Sequence, residues 1–312
     1  MLRDSSLGED QPESRLKRRP NSKFYIFTLM KRVTRMKSFE STSLLEQVSQ
    51  IYELPENVVQ RLTHEILMAD LPWREAYSDY QSAGWKTASL LNASGKSDDV
   101  VISDCQAVGT DALQLMPTTE NLIRSLNLDY MWVRVARLEP NSFLWEHRDF
   151  SDLKRVPRLR LHIPLQTHPD SYLVLAGQRI FMKSGFIWKL NPTVPHGVCN
   201  RSPVPRLHLI LDCYVNETIR NWLETERLDS SLTQKLPNID TKPILAKAAA
   251  LMNLGYNTCA EFLLLKTFHS NFQAEGQGYD YIIKSYQEKS EARLAKQWMS
   301  KKKMFLDQGV MA

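Results

Sequence analysis

No stretch of this 312-residue chain is apolar for long enough to cross a bilayer. The strongest run near the start, residues 24–30, lies between basic flanks, far short of the roughly 20 residues a spanning helix needs, and no small-residue cleavage site follows it. Cysteine is scarce too. The four present (Cys105, Cys199, Cys213, Cys259) lie far apart with no C-x-x-C pair, which excludes a disulfide framework and a thiolate zinc site and fits a reducing compartment. Glycine is sparse, at 11 residues, and no internal repeat is visible. With 43% hydrophobic and 24% charged residues, collagen-like, coiled-coil and disordered classes are excluded for the bulk of the chain. What remains is a soluble, cytoplasmic globular protein, with room for one large domain or two modest ones.

The net charge of +5 is unevenly spread. Residues 1–40 carry ten Lys and Arg against five Asp and Glu, leaving thirty of each sign in the rest. The body is neutral, so neither nucleic acid nor a membrane is expected as a partner. The arm lacks an amphipathic period and Arg–aromatic interleaving; it is expected to be a solvated, disordered leader.

From 43 to 71 the pattern is helical: Leu44, Leu45, Val48, Ile51 and Tyr52, then Val58, Leu62, Ile66 and Leu67 after Pro55. Beyond Pro72 the character changes. Short apolar or alternating segments at 85–91, 100–103, 130–138, 158–166, 172–175, 179–182, 186–190 and 206–214 are separated by turn residues, which predicts a β-sandwich or barrel. Helical spacing returns after Thr218, around Ile244–Met252, 260–268 and 279–305. The expected organisation is a basic arm over 1–40, a β domain with N-terminal helices over 41–215, and a helical region over 216–312.

Two strands carry an unusual polar face. Leu159, Leu161, Ile163 and Leu165 alternate with Arg158, Arg160, His162 and Pro164, and Leu207, Leu209 and Leu211 alternate with Arg206, His208, Ile210 and Asp212. A wet outer face normally uses Thr, Lys and Glu; here the cations are Arg and His. Five of the seven histidines (His147, His162, His168, His196, His208) also fall between 147 and 208. A barrel with a polar interior explains both.

Within that region stands Trp145-Glu146-His147-Arg148-Asp149, with Pro195-His196-Gly197 47 residues beyond Asp149 and Arg206 ten residues further. On a strand, His147 and Asp149 point the same way, so an imidazole and a carboxylate can share one face of a metal with His196 as third ligand, the facial set of non-haem Fe(II) oxygenases. The other reading makes His147 a satisfied surface histidine and Asp149 a turn residue. His168-Pro169-Asp170 repeats the spacing, but proline spoils the strand geometry there.

The chain resembles the aspartyl/asparaginyl β-hydroxylase-like branch of the cupin-fold Fe(II)/2-oxoglutarate-dependent oxygenases, and within it the bacterial free-amino-acid hydroxylases of the L-proline cis-4-hydroxylase type. The resemblance rests on Tyr77-Ser-Asp-Tyr80 with Trp85, Leu91-Asn-Ala-Ser-Gly-Lys96, Arg134-Val-Ala-Arg137, His147-Arg-Asp149-Phe150, Arg160-Leu-His162, Gly185-Phe-Ile-Trp188, Pro195-His196 and the segment from Pro205 to Asp212. It spans roughly 70–215. It implies a double-stranded β-helix (jelly-roll) core with flanking helices and a helical C-terminal region. It further implies an iron triad of His147, Asp149 and His196, with Arg206 pairing the distal carboxylate of 2-oxoglutarate. Arg160 and His162 match an R-x-H pair near the cosubstrate's other end or the substrate carboxylate.

Arg134 and Arg137 are further candidates for a substrate carboxylate, or else form salt bridges on the barrel wall; three residues apart, only one enters the pocket of a regular strand. Trp188, like Trp85, Trp132 and Trp145, is core or pocket wall, with packing against a substrate ring as its functional alternative. The implied reaction is 2-oxoglutarate- and O2-dependent hydroxylation of a free, proline-sized L-amino acid at Fe(II), with ascorbate as reductant in vitro. Alternatives are the same chemistry on a peptide residue or carrier-tethered amino acid, and a non-catalytic cupin binding module. The C-terminal helices are expected to cover the pocket or form a homodimer interface.

Overall fold

Residues 43–149, 153, 155 and 157–307 are described by a computed structural model of the chain; the basic arm foreseen over 1–40 lies outside them. A short helix α1 (Leu44–Gln47) leads into β1 (Val48–Glu53) and α2 (Glu56–Met68). Then follow β2 (Arg74–Glu75), β3 (Trp85–Asn92), β4 (Val108–Gly109), α3 (Asp111–Gln114) and α4 (Pro117–Ser125). The central strands are β5 (Asp129–Leu138), β6 (Ser142–His147), β7 (Arg158–Gln166), β8 (Ser171–Leu175), β9 (Gln178–Ile180), β10 (Phe186–Leu190), β11 (His196–Asn200) and β12 (Arg206–Tyr214). The chain closes with α5 (Glu217–Leu223), β13 (Thr233–Lys235), α6 (Lys242–Asn253), α7 (Asn257–Leu265), α8 (Gln277–Glu288) and α9 (Ala292–Lys302).

The strands form two antiparallel sheets. The larger runs β1-β10-β7-β12-β5-β3-β2, with β4 also on β3; the smaller runs β13-β9-β8-β11-β6. Both line one cavity, Arg134, Arg160, His162, Leu190, Arg206 and Ile210 from the first and Leu144, His147, Leu173, His196 and Val198 from the second. This is the expected mainly β, jelly-roll architecture. The leucine faces of β7 and β12 pack outward onto Val59, Leu62 and Ile66, one turn apart along α2. The arginine and histidine faces turn inward, as the alternation implied.

Two sequence expectations need correction. Residues 48–53 are a strand, not the continuation of a helix. Val48 pairs with Leu190 and Gln50 with Trp188, so the open edge of β10 captures a segment whose β-branched Val48 and Ile51 suit either state. Residues 100–103 form no strand. Asp99 Oδ1 accepts the Val101 amide at 3.1 Å, taking a donor that a ladder would need, while Ile102 packs with Trp132.

After β12, the helices share a core with the smaller sheet: Ala260, Leu264, Tyr279, Ile282 and Phe305 belong to the same buried cluster as Phe143 and Trp145. The four cysteines are free. Among the described residues no helix is long and apolar enough to cross a membrane.

Candidate metal centre

His147 ends β6, His196 opens β11, and the two are register partners in the smaller sheet. Asp149 follows on the same side, its amide donating to the Pro192 carbonyl at 2.8 Å. One ligand atom from each of the three lies within 4.8 Å of the others. His147 Nε2 stands 3.7 Å from Asp149 Oδ1, and His196 Nε2 3.8 Å from Asp149 Oδ2. His147 Nδ1 lies 2.7 Å from the Trp145 carbonyl and His196 Nδ1 2.9 Å from the Val194 carbonyl. A carbonyl only accepts, so each ring carries its proton on Nδ1 and turns a bare Nε2 to its neighbours.

Burial keeps both rings neutral. It lowers His147 below its ordinary value, and it lowers His196, with help from His147, to about 3. Burial alone pushes the Asp149 carboxyl up, but Arg160 first, then His147 and His196, bring it below the usual carboxylate value, so it is ionised. Asp149 Oδ1 is buried without a hydrogen-bond partner among the described residues. Such an atom is costly in a protein interior unless something else coordinates it. Two neutral imidazoles, one carboxylate and a bare oxygen fit a divalent first-row ion held on one face.

Beside the triad lies a buried charge network. Arg160 donates from Nη1 to Asp149 Oδ2 and from Nε to Asp212 Oδ1 at 2.7 Å. Arg134 donates to Asp212 Oδ2 and stacks over Trp132, 3.6 Å from the ring centroid. Arg206, only 3% exposed, has no ion pair among the described residues; its Nη2 donates to His208 Nδ1 at 3.2 Å. Burial drops its guanidinium to about 9, as expected of a cation without an anion. His162 Nδ1 lies 3.3 Å from His208 Nδ1, and burial, then Arg206, holds both rings well below the ordinary histidine value.

The remaining candidates fall outside the cavity. Arg137 points to the other face of β5 and pairs with Glu139 at 2.7 Å, so of the two β5 arginines only Arg134 enters. Trp188 is fully buried in the core beneath the site; its Nε1 donates to the Lys183 carbonyl and it does not line the cavity. His168 and Asp170 pair with each other at a turn, away from the triad.

Sequence reasoning named three further residues, Asp212, Tyr77 and Tyr80, but gave them no role in the site. Asp212 anchors both Arg134 and Arg160, and its place on the polar face of β12 was the signal for it. Tyr77 and Tyr80 also line the cavity. Tyr77 has φ +67°, a left-handed conformation rare for a bulky side chain, and its buried hydroxyl has no hydrogen-bond partner among the described residues. No periodicity in the sequence marks it.

Residues 59–215, half of the chain, match the family model described as aspartyl/asparaginyl beta-hydroxylase. The chain is 29% identical over 142 residues to the L-proline cis-4-hydroxylase of Rhizobium meliloti (strain 1021), covering 44% of this chain and 50% of that protein. It is 29% identical over 145 residues to L-proline cis-3-hydroxylase 2 of a Streptomyces species, with the same coverage. The chain thus spans about half the length of the curated relatives it matches. Among solved structures, a Pseudomonas putida prolyl-4-hydroxylase aligns with 54% of this chain and 92% of its own at 20% identity and a TM-score of 0.35. The matched segment contains all three candidate metal ligands, and the chain belongs to the aspartyl/asparaginyl beta-hydroxylase family.

Proposed function

We propose that the protein is a 2-oxoglutarate-dependent hydroxylase of a free L-amino acid of about proline's size, with Fe(II) held by His147, Asp149 and His196. When bound, the iron would supply the oxidising chemistry: one atom of O2 enters a C–H bond as hydroxyl, the other enters succinate, and 2-oxoglutarate loses carbon dioxide. The chain's own residues bind, orient and neutralise. Arg206 is the anchor for the distal carboxylate of 2-oxoglutarate, because a planar guanidinium grips a carboxylate through two parallel bonds. Arg160 bridges Asp149 and Asp212, holding the ligating carboxylate in its ionised form and fixing its rotamer. Arg134, fixed by Asp212 and Trp132, presents a positive wall to a substrate carboxylate. The cavity is walled by Tyr77, Tyr80, Trp85, Leu144 and Leu173, which exclude water from the reacting carbon.

The observation that carries this reading is Arg206, a buried guanidinium without an anionic partner among the described residues, in the same cavity as the triad. The charge balance agrees. Three arginines face two aspartates, a surplus of one positive charge that a divalent ion raises to three. Dianionic 2-oxoglutarate offsets two of these charges, and the third faces the carboxylate end of the zwitterionic amino acid. The proline hydroxylases among the relatives favour a small cyclic amino acid. The test is a panel of free amino acids incubated with protein, Fe(II), ascorbate and 2-oxoglutarate. A product one oxygen atom heavier, formed with an equal amount of succinate, is expected for proline or a neighbour of its size. Turnover of peptide-embedded residues alone would overturn the free-substrate assignment.

A further inference from the structure

β6 and β11 do not pair residue for residue. Val198 faces Leu144 and His196 faces His147, three steps along β6 against two along β11. β6 therefore carries one extra residue, a β-bulge at Trp145–Glu146. The bulge aims the ligand. Leu144 lines the cavity while Phe143 and Trp145 stack on the opposite side, ring centroids 5.8 Å apart, so strict alternation from Leu144 would send His147 out with Trp145.

A bulge leaves polar groups outside the ladder, and here the C-terminal helices take them. The buried Glu146 carboxyl group, pushed up to about 8 by burial, accepts the Gly276 amide through both oxygens, at 3.1 and 3.0 Å, at the start of α8. The Glu146 carbonyl accepts the Tyr279 hydroxyl at 2.6 Å. Beyond His147, the Arg148 amide donates to the Phe305 carbonyl at 2.9 Å, and its guanidinium reaches both Glu275 oxygens at 2.7 and 2.8 Å. The Phe305 ring packs on Tyr80, which packs on the His147 imidazole with centroids 4.7 Å apart. Glycine suits position 276 because its φ is +72°; a Cβ there would stand 2.5 Å from Lys302 Cε and 2.9 Å from Leu306 Cδ1, side-chain ends that would have to shift. Residues 275–305 thus grip the backbone on either side of His147, although they lie beyond the family match, which ends at 215.

We propose that the C-terminal helical region is a working part of the metal centre, with Tyr279 as a positioning residue that fixes the Glu146 bulge and thereby aims His147. The inference rests on the reading of His147, Asp149 and His196 as metal ligands. Tyr279 touches neither the metal position nor the cavity; it acts through the Glu146 carbonyl on the strand that presents the imidazole.

The test uses the full chain and Co(II) as probe, followed by titration and by its visible d–d absorption. Tyr279→Phe keeps the ring and removes the one hydrogen bond. Its Co(II) affinity is expected to fall about tenfold, the lower end of what losing a residue that supports a ligand costs, with a changed d–d spectrum. Ile282→Val, one turn along the same buried face of α8, is the comparator. It should lower the urea midpoint while keeping the parent's affinity and spectrum. Parent-like Co(II) binding by Tyr279→Phe would overturn the positioning role, as would equal weakening in both variants, since that would mark a general loss of stability. Failure of the parent protein to bind Co(II) would overturn the metal reading itself, and this inference with it.

Discussion

At the residue scale, the centre depends on which atoms are left without partners. His147 and His196 each commit Nδ1 to a carbonyl, and Asp149 Oδ1 has no hydrogen-bond partner among the described residues, so three donor atoms converge as a cation would require. His147→Ala or His196→Ala should abolish both Co(II) binding and turnover, measured by titration and by succinate release; full activity in both would refute the ligand assignment. Arg206→Lys should raise the 2-oxoglutarate concentration needed for half-maximal succinate formation about a hundredfold, about 3 kcal/mol, because an ammonium cannot reproduce the bidentate grip. An unchanged requirement would remove Arg206 from the cosubstrate site. These residues were legible in the sequence because their types and spacing are chemically restrictive. Asp212 was legible only as a member of the polar face, since its partners Arg134 and Arg160 arrive from two other strands.

At the scale of elements, strict alternation along β7 and β12 already sorted leucines from arginines and histidines, and the sheet obeys it. The failures lie where pairing overrides local pattern. β1 has a helical spacing of apolar residues, yet the exposed edge of β10 takes it as a strand. The bulge in β6 is invisible in sequence, because one extra residue shows only against its partner strand. Gly197, between His196 and Val198, belongs to the same junction: an added Cβ would meet the Leu144 carbonyl oxygen and Phe268 Cε1, both at 2.9 Å. Gly197→Ala is expected to push β11 away from β6, costing about 1–3 kcal/mol in urea unfolding and weakening Co(II) binding. Parent-like values in both measurements would show that the strand pair can absorb the methyl group.

At the scale of the whole molecule, barrel and C-terminal helices meet over a fully buried histidine. His269 packs against Phe143, Phe268 and Trp145, and burial, then Arg201, lowers it from 6.5 to about 3. The unfolded chain takes up a proton on this ring as pH falls below 6.5, whereas the folded chain does not until about 3. Stability attached to this group is therefore complete above 6.5 and is lost on acidification across that window, by about 1.4 kcal/mol per pH unit. His147, His162, His196 and His208 are lowered in the same direction and add to the slope, whereas the buried Glu146 carboxyl, pushed up to about 8, acts in the opposite sense and offsets one of them. Urea midpoints should fall from pH 7 to pH 5, and His269→Phe should flatten that dependence. A variant whose midpoint moves with pH as steeply as the parent's would take His269 out of the account.

Sequence by itself determined the chemistry available: a balanced body without thiolate pairs or a spanning segment, two strands with a cationic face, and an H-x-D with a distant histidine and an arginine beyond it. Composition and period-2 alternation are local properties, so they survive reading one residue at a time. Only the tertiary structure decided which way His147 points, which arginine is left without an anion, and that helices far along the chain hold the ligand strand. Each of those depends on the register between segments remote in sequence, and register is fixed by packing, not by any single strand's pattern.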